Sequence, residues 1–217
     1  MRKGTLLALL AASVLLILSS CGGGGGGGLC VGGVVEKRDD NSIFILIAVL
    51  QGSSSGDPVE DATLFINGTP ITGLGGLFLD LGSVTINDGA DVLLEVEGGG
   101  STVSATVVMP EKPVITLPTE GLTVVGAVNA VWTSTTDPDV FGITVLDTYS
   151  AVGDYTANLA GNIRGYSMVS VFDTTVAGES YFNVSALNQA ASFVGNAASD
   201  SDFAVLNTRE SPGFYAD

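Results

Sequence analysis

Val92-Leu93-Leu94-Glu95-Val96-Glu97 is followed by Gly98-Gly99-Gly100 and then by Thr102-Val103-Ser104-Ala105-Thr106-Val107-Val108-Met109. In the first run Val92, Leu94 and Val96 share one parity, while Glu95 and Glu97 take the other. In the second, Val103, Ala105, Val107 and Met109 alternate with Thr102, Ser104, Thr106 and Val108. A strand turns successive side chains to opposite faces. This period of two therefore predicts two linked strands, each with one buried face.

The same signal extends outward in both directions. Ile43 to Leu50 is apolar on both parities, which predicts a central strand covered on both sides. Asn67-Gly68 lies between Ala62–Ile66 and a Pro-Ile pair, a hairpin cue because both residues tolerate positive φ. Asn87-Asp88-Gly89 precedes the Val92 strand. Short strands separated by such turns predict an all-β chain of sandwich type. The clearest helix candidate is short, over Asn188–Ala198. Met109-Pro110-Glu111-Lys112-Pro113 ends one strand system, because Pro cannot donate to a ladder. The expected division is a first sandwich over 34–110 and a second over 111–217.

The second part resembles a fibronectin type III domain. Pro113 and Pro118 stand where such domains begin. Val128, Ala130 and Trp132 resemble the second strand, with Trp132 in the core position. Phe141, Ile143 and Val145 resemble the third strand. Phe182, Val184, Ala186 and Asn188 resemble the sixth strand and its end. The family's corner tyrosine would align with Ser180, whereas this chain has Tyr181, so the corner is a departure. The first part looks like a generic immunoglobulin-like sandwich. Trp132, between alternating apolar residues, reads as a core anchor and not as a sugar platform.

Residues 1–20 read as an export signal. Arg2 and Lys3 precede an apolar stretch from Leu6 to Leu18, too short to span a bilayer comfortably. Leu18-Ser19-Ser20-Cys21 resembles the lipobox of bacterial lipoproteins. That resemblance implies cleavage before Cys21, a diacylglycerol on its thiol and an acylated new amino terminus. Several acyl chains anchor stably where one does not. Gly22, where enterobacterial inner-membrane lipoproteins carry Asp, implies outer-membrane sorting. Residues 21–33 read as a lipidated cysteine and a glycine-rich tether, since seven consecutive glycines, Gly22 to Gly28, resist helix and strand. Cys30 falls in this tether. With Cys21 a thioether, Cys30 has no partner within the chain, which leaves a tolerated thiol or an intermolecular disulfide.

The chemistry is bounded by composition. Seven Lys+Arg stand against 23 Asp+Glu, a formal charge of −16, and there is no histidine. Loss of Arg2 and Lys3 with the signal makes the exported chain −18. Such a chain lacks the basic face that nucleic acid requires. Without His there is no Ser–His–Asp triad, Cys–His pair or His-based zinc site. Acids cluster in expected loops: Asp39-Asp40, Asp57 with Glu60 and Asp61, Asp88 with Asp91, Asp137 with Asp139, and Asp200 with Asp202. Asp is a good turn residue, which accounts for most of them. Calcium takes six to eight oxygens, and the pairs Asp137/Asp139 and Asp200/Asp202 are where a calcium site would be sought. No other cofactor is implied. No two carboxylates stand out for glycosidic chemistry, and Lys37 and Lys112 lie in no catalytic motif.

The expected function is that of a lipid-anchored envelope protein, by its motifs not an enzyme but a binding, adhesion or scaffold module. It would face the periplasm or the cell exterior, with a protein or glycan partner. The alternatives are an accessory subunit of an envelope assembly or secretion complex, and a purely structural spacer.

Overall fold

The structure is a computed structural model that describes residues 28–145, 149–151 and 155–217. Among the described residues all regular structure is β. The first nine strands are β1 (Leu29–Lys37), β2 (Ile43–Gln51), β3 (Thr63–Ile66), β4 (Thr69–Ile71), β5 (Gly73–Leu74), β6 (Leu77–Leu81), β7 (Asp91–Gly98), β8 (Ser101–Val108) and β9 (Val114–Leu117). Then come β10 (Thr123–Val124), β11 (Ala127–Thr133), β12 (Val140–Val145), β13 (Tyr155–Ala160), β14 (Gly165–Val169), β15 (Asn183–Gln189), β16 (Val194–Gly195), β17 (Asp202–Glu210) and β18 (Tyr215–Ala216). The chain divides into two compact units. One holds the residues up to Met109 together with Asn188–Leu206; the other holds Pro110–Leu187 and Asn207–Asp217.

The first unit is a sandwich. One sheet runs β17–β1–β2–β6–β5 and the other β16–β8–β7–β3–β4. The hairpin of β7 and β8 pairs Val92 with Val107 and Val96 with Val103. Its apolar parity packs with Val31, Val35, Ile43, Ile45, Ile47 and Val49 in one core. The opposite parity of β2 is buried too: Phe44 and Leu46 pack with Val34 and Leu206. Continuous burial of this kind requires a strand apolar throughout, and Ile43–Leu50 meets that requirement. The turn Asn67-Gly68 joins β3 to β4 with φ of 50° and 74°. Positive φ at both central residues matches the twist of the flanking strands. Asn67 also ties the turn down, its Oδ1 accepting from Leu93 N at 2.7 Å.

The second unit is a smaller sandwich. β13–β12–β15 forms one sheet, β14–β11–β9 the other, and β10 pairs in parallel with β18. Val128, Ala130, Trp132, Phe141, Ile143, Val145, Phe182, Val184 and Ala186 share one core. Trp132 meets Phe141 edge-on, ring centroids 5.4 Å apart at 61°.

Three features differ from the sequence reading. The first unit begins at Leu29, not at residue 34. Leu29 and Val31 are fully buried, Leu29 N donates to Asn196 O at 2.9 Å, and Ala198 N donates to Leu29 O at 2.8 Å. Gly33 is a strand residue: a Cβ there would lie 2.5 Å from Ile47 Cγ1 and 2.7 Å from Leu46 O. Close approach of β2 demands glycine at that point. Second, Asn188–Ala198 is not helical. It finishes β15, passes Phe193 and Ala197 over the first unit's core, and forms β16 against β8. Third, this same segment returns to the first unit, so the span 111–217 is shared between the two units.

Candidate functional site

The signal of residues 1–20, Cys21 and Gly22–Gly27 lie outside the described residues. The description starts at Gly28, whose carbonyl accepts from Gly52 N at 2.8 Å. Cys30 is buried in β1, 2% exposed, its Sγ 3.8 Å from Asp200 O. This corrects its placement in a tether. A thiol packed inside a sandwich lacks the exposure an intermolecular disulfide requires.

The acidic pairs fall apart between the units. Asp137 and Asp139 belong to the second, Asp200 and Asp202 to the first. The Asp137 carboxylate accepts from Arg164 Nη2. The same guanidinium donates to Gly161 O at 2.6 Å and to Thr136 O at 3.1 Å, and stacks 4.9 Å from the Phe141 centroid. Asp137 is thus charge-paired as part of a loop brace. Asp139 is exposed on the same loop. Asp200 is buried, and its Oδ2 accepts from Ser54 N at 2.7 Å. That backbone donor holds its carboxyl below the usual range. Asp202 opens β17 half-buried, and burial pushes its carboxyl up. Among the described residues no group of three or more His, Cys, Asp and Glu gathers in a way that could hold a metal ion.

Other polar arrangements were not read from the sequence. At the end of β1, Glu36 and Lys37 are buried, at 3% and 8% exposure. Lys37 Nζ meets Asp88 Oδ1 at 2.5 Å, Arg38 Nε lies 3.6 Å from Glu36 Oε2, and the Arg38 guanidinium stands 4.6 Å from the Phe44 centroid. Apolar neighbours hide such a strand end in a sequence where charge usually means solvent. In the second unit Tyr155 and Tyr166 share a hydroxyl hydrogen bond of 2.6 Å. Burial first, and the Tyr166 hydroxyl second, push the Tyr155 phenol up to about 12. Tyr181 donates to Glu179, two residues upstream, and Ser180 is buried, its N and O bonded to Phe214 at 2.8 and 3.2 Å.

No family model matches the chain, and no curated protein matches it. Among solved structures it is similar to the fibronectin type III domains 1 to 3 of chicken CNTN1, at 9% identity and a TM-score of 0.28. The match covers 84% of this chain and 64% of that one. Likeness at this level carries no function across. The all-β sandwich architecture stands on the strand pairing itself.

Proposed function

We propose that this chain is a lipid-anchored protein of the bacterial cell envelope that displays two β-sandwich units and acts by binding or scaffolding, without catalysis. The observation that carries this reading is Leu18-Ser19-Ser20-Cys21, placed after Arg2-Lys3 and an apolar run. Its support is the short distance from anchor to fold: only the glycines from Gly22 to Gly28 separate Cys21 from β1. The non-catalytic reading is supported by the absence of His. It is also supported by the engagement of Lys37 with Asp88 and of Asp137 with Arg164. The loops of the two sandwiches are the surfaces offered to a protein or glycan partner, and outer-membrane sorting follows from Gly22.

Labelling of growing cells with radioactive palmitate tests the anchor. The chain takes up label, and Cys21→Ser loses both label and membrane association. A Cys21→Ser chain that stays with the membrane overturns the reading. A calcium titration of the purified chain tests a metal brace at either acidic pair. Because Asp137 and Asp200 are already engaged, no rise in Tm is expected.

A further inference from the structure

The hairpin of β5 and β6 turns an apolar face to solvent. Leu74, Leu77, Leu79 and Leu81 are 88%, 51%, 49% and 61% exposed. Leu74 pairs with Leu77 across the hairpin, and alternation places Leu79 and Leu81 on that same face. Phe78, on the other parity, is buried in the core. Asp80 is the one charge between Gly73 and Gly82; it shares the Phe78 parity and accepts from Ser83 N at 2.9 Å. Four adjoining exposed leucines exceed the scattered apolar residues that any soluble surface carries.

The hairpin turn lies at the end of the sheet where the chain enters. Val49 N donates to Gly76 O at 2.7 Å, and Val49 pairs with Val31, two residues into β1. In the order β1–β2–β6–β5 three strand spacings separate the outer members, about 15 Å. From Cys21 to Gly28 the chain takes seven residue steps, which fully extended span at most about 25 Å. A lipid on Cys21 therefore keeps this end of the first unit close to the bilayer.

We propose that the leucine face of the β5–β6 hairpin seats in the interface of the bilayer that holds the anchor. This rests on the reading of Cys21 as lipidated. A protein–protein interface buries roughly 800 Å² a side and centres on Trp, Tyr and Arg. The hairpin has none of these and only four leucines to give. A bilayer interface asks for apolar area, and this face supplies it with no charge of its own, although the exposed acids Asp57, Glu60 and Asp61 flank the turn at Gly76 and stay on the water side.

The test is Leu74→Trp in the full chain, purified with its lipid and reconstituted into phosphatidylcholine vesicles with brominated acyl chains, which quench Trp on contact. Trp132 is buried and gives a constant background. Asp39→Trp, in the turn after β1, is the control, about 30 Å along the sheet from Leu29. The added emission of Leu74→Trp is expected to be mostly lost, and that of Asp39→Trp retained. Circular dichroism matching the parent confirms that each variant is folded, and palmitate is measured on the same preparations. Palmitate present without quenching of Leu74→Trp overturns the proposal alone. Palmitate absent overturns the anchor reading and the proposal with it. Equal quenching at both positions also overturns it. So does an unquenched blue shift that grows with protein concentration alongside sedimentation as a dimer, which would assign the face to a second copy.

Discussion

Asp200 and Asp202 stand two residues apart, yet their carboxyls are shifted in opposite directions, Asp200 by a hydrogen bond and Asp202 by burial. Ser54 N–H stabilises the charged form of Asp200, so its folded carboxyl titrates below the ordinary 3.8. Its contribution is present above that value and is lost as pH falls through the folded one. Burial penalises the charged form of Asp202, so its folded carboxyl titrates above 3.8 and stability falls as pH rises through that window. Asp200→Asn keeps an oxygen for Ser54 N but removes its charge, and should therefore lower stability at pH 7 by about 1 kcal/mol, the difference between a charge-assisted and a neutral hydrogen bond. Asp202→Asn should raise Tm at pH 7. Both differences from the parent should shrink as pH drops below 4, and thermal melts from pH 3 to 7 check the two signs together. Tyr155→Phe removes the hydrogen bond to Tyr166 and leaves that hydroxyl without this partner, which should cost about 1 kcal/mol in denaturant titration. None of these environments was legible in the sequence. A lone Asp or Tyr beside a turn looks the same whether a remote backbone N–H reaches it or not. Trp132 was legible, because its alternating neighbours Val128 and Ala130 declare a buried face locally.

At the scale of elements, what could be read was whatever repeats locally. The β7–β8 hairpin, the double-sided burial of β2 and the Asn67-Gly68 turn each depend on residues within a few positions of one another. The β5–β6 hairpin has an equally local signal, Gly75-Gly76 between leucines, but in a chain of 30 glycines that pair does not stand out. Gly75 and Gly76 have φ of 56° and 77°. A Cβ on Gly75 meets open space, whereas one on Gly76 would lie 2.7 Å from Val49 O. Gly75→Ala should therefore cost about 1 kcal/mol, the penalty of a left-handed L-residue, and Gly76→Ala clearly more, because the backbone of β2 must also shift. Urea unfolding of the two variants orders them; equal losses would mean that the contact with β2 is unimportant. Segment 188–198 misled for the converse reason. Asn, Ala and Ser carry little strand propensity, and distant partners, Leu29, Thr102 and Phe203 among them, hold this segment extended.

The molecule as a whole threads its units in an order that no local pattern discloses. The chain builds most of the first unit by Met109, builds the second to Leu187, returns through Asn188–Leu206 and ends in the second. The boundary near Pro110 was readable because proline punctuates it, but the return was not, because nothing in β15 or β17 names its neighbour. This threading makes the first unit depend on residues about a hundred positions downstream. Phe203 and Val205 are fully buried in its core, and Phe193 packs against it. Ser201 Oγ donates to Leu29 O at 3.2 Å and accepts from Val31 N at 3.1 Å, closing the edge of β1. A fragment of residues 28–109 would leave that edge unpaired and two large core side chains missing, a loss of several kcal/mol against a typical total of 5–15. The fragment should show no cooperative thermal transition and should aggregate, while residues 28–217 melt cooperatively. Supplying residues 188–206 through a flexible linker after Met109 should restore a sharp transition. A cooperative melt from 28–109 alone would show that the returning arm is dispensable to the first unit.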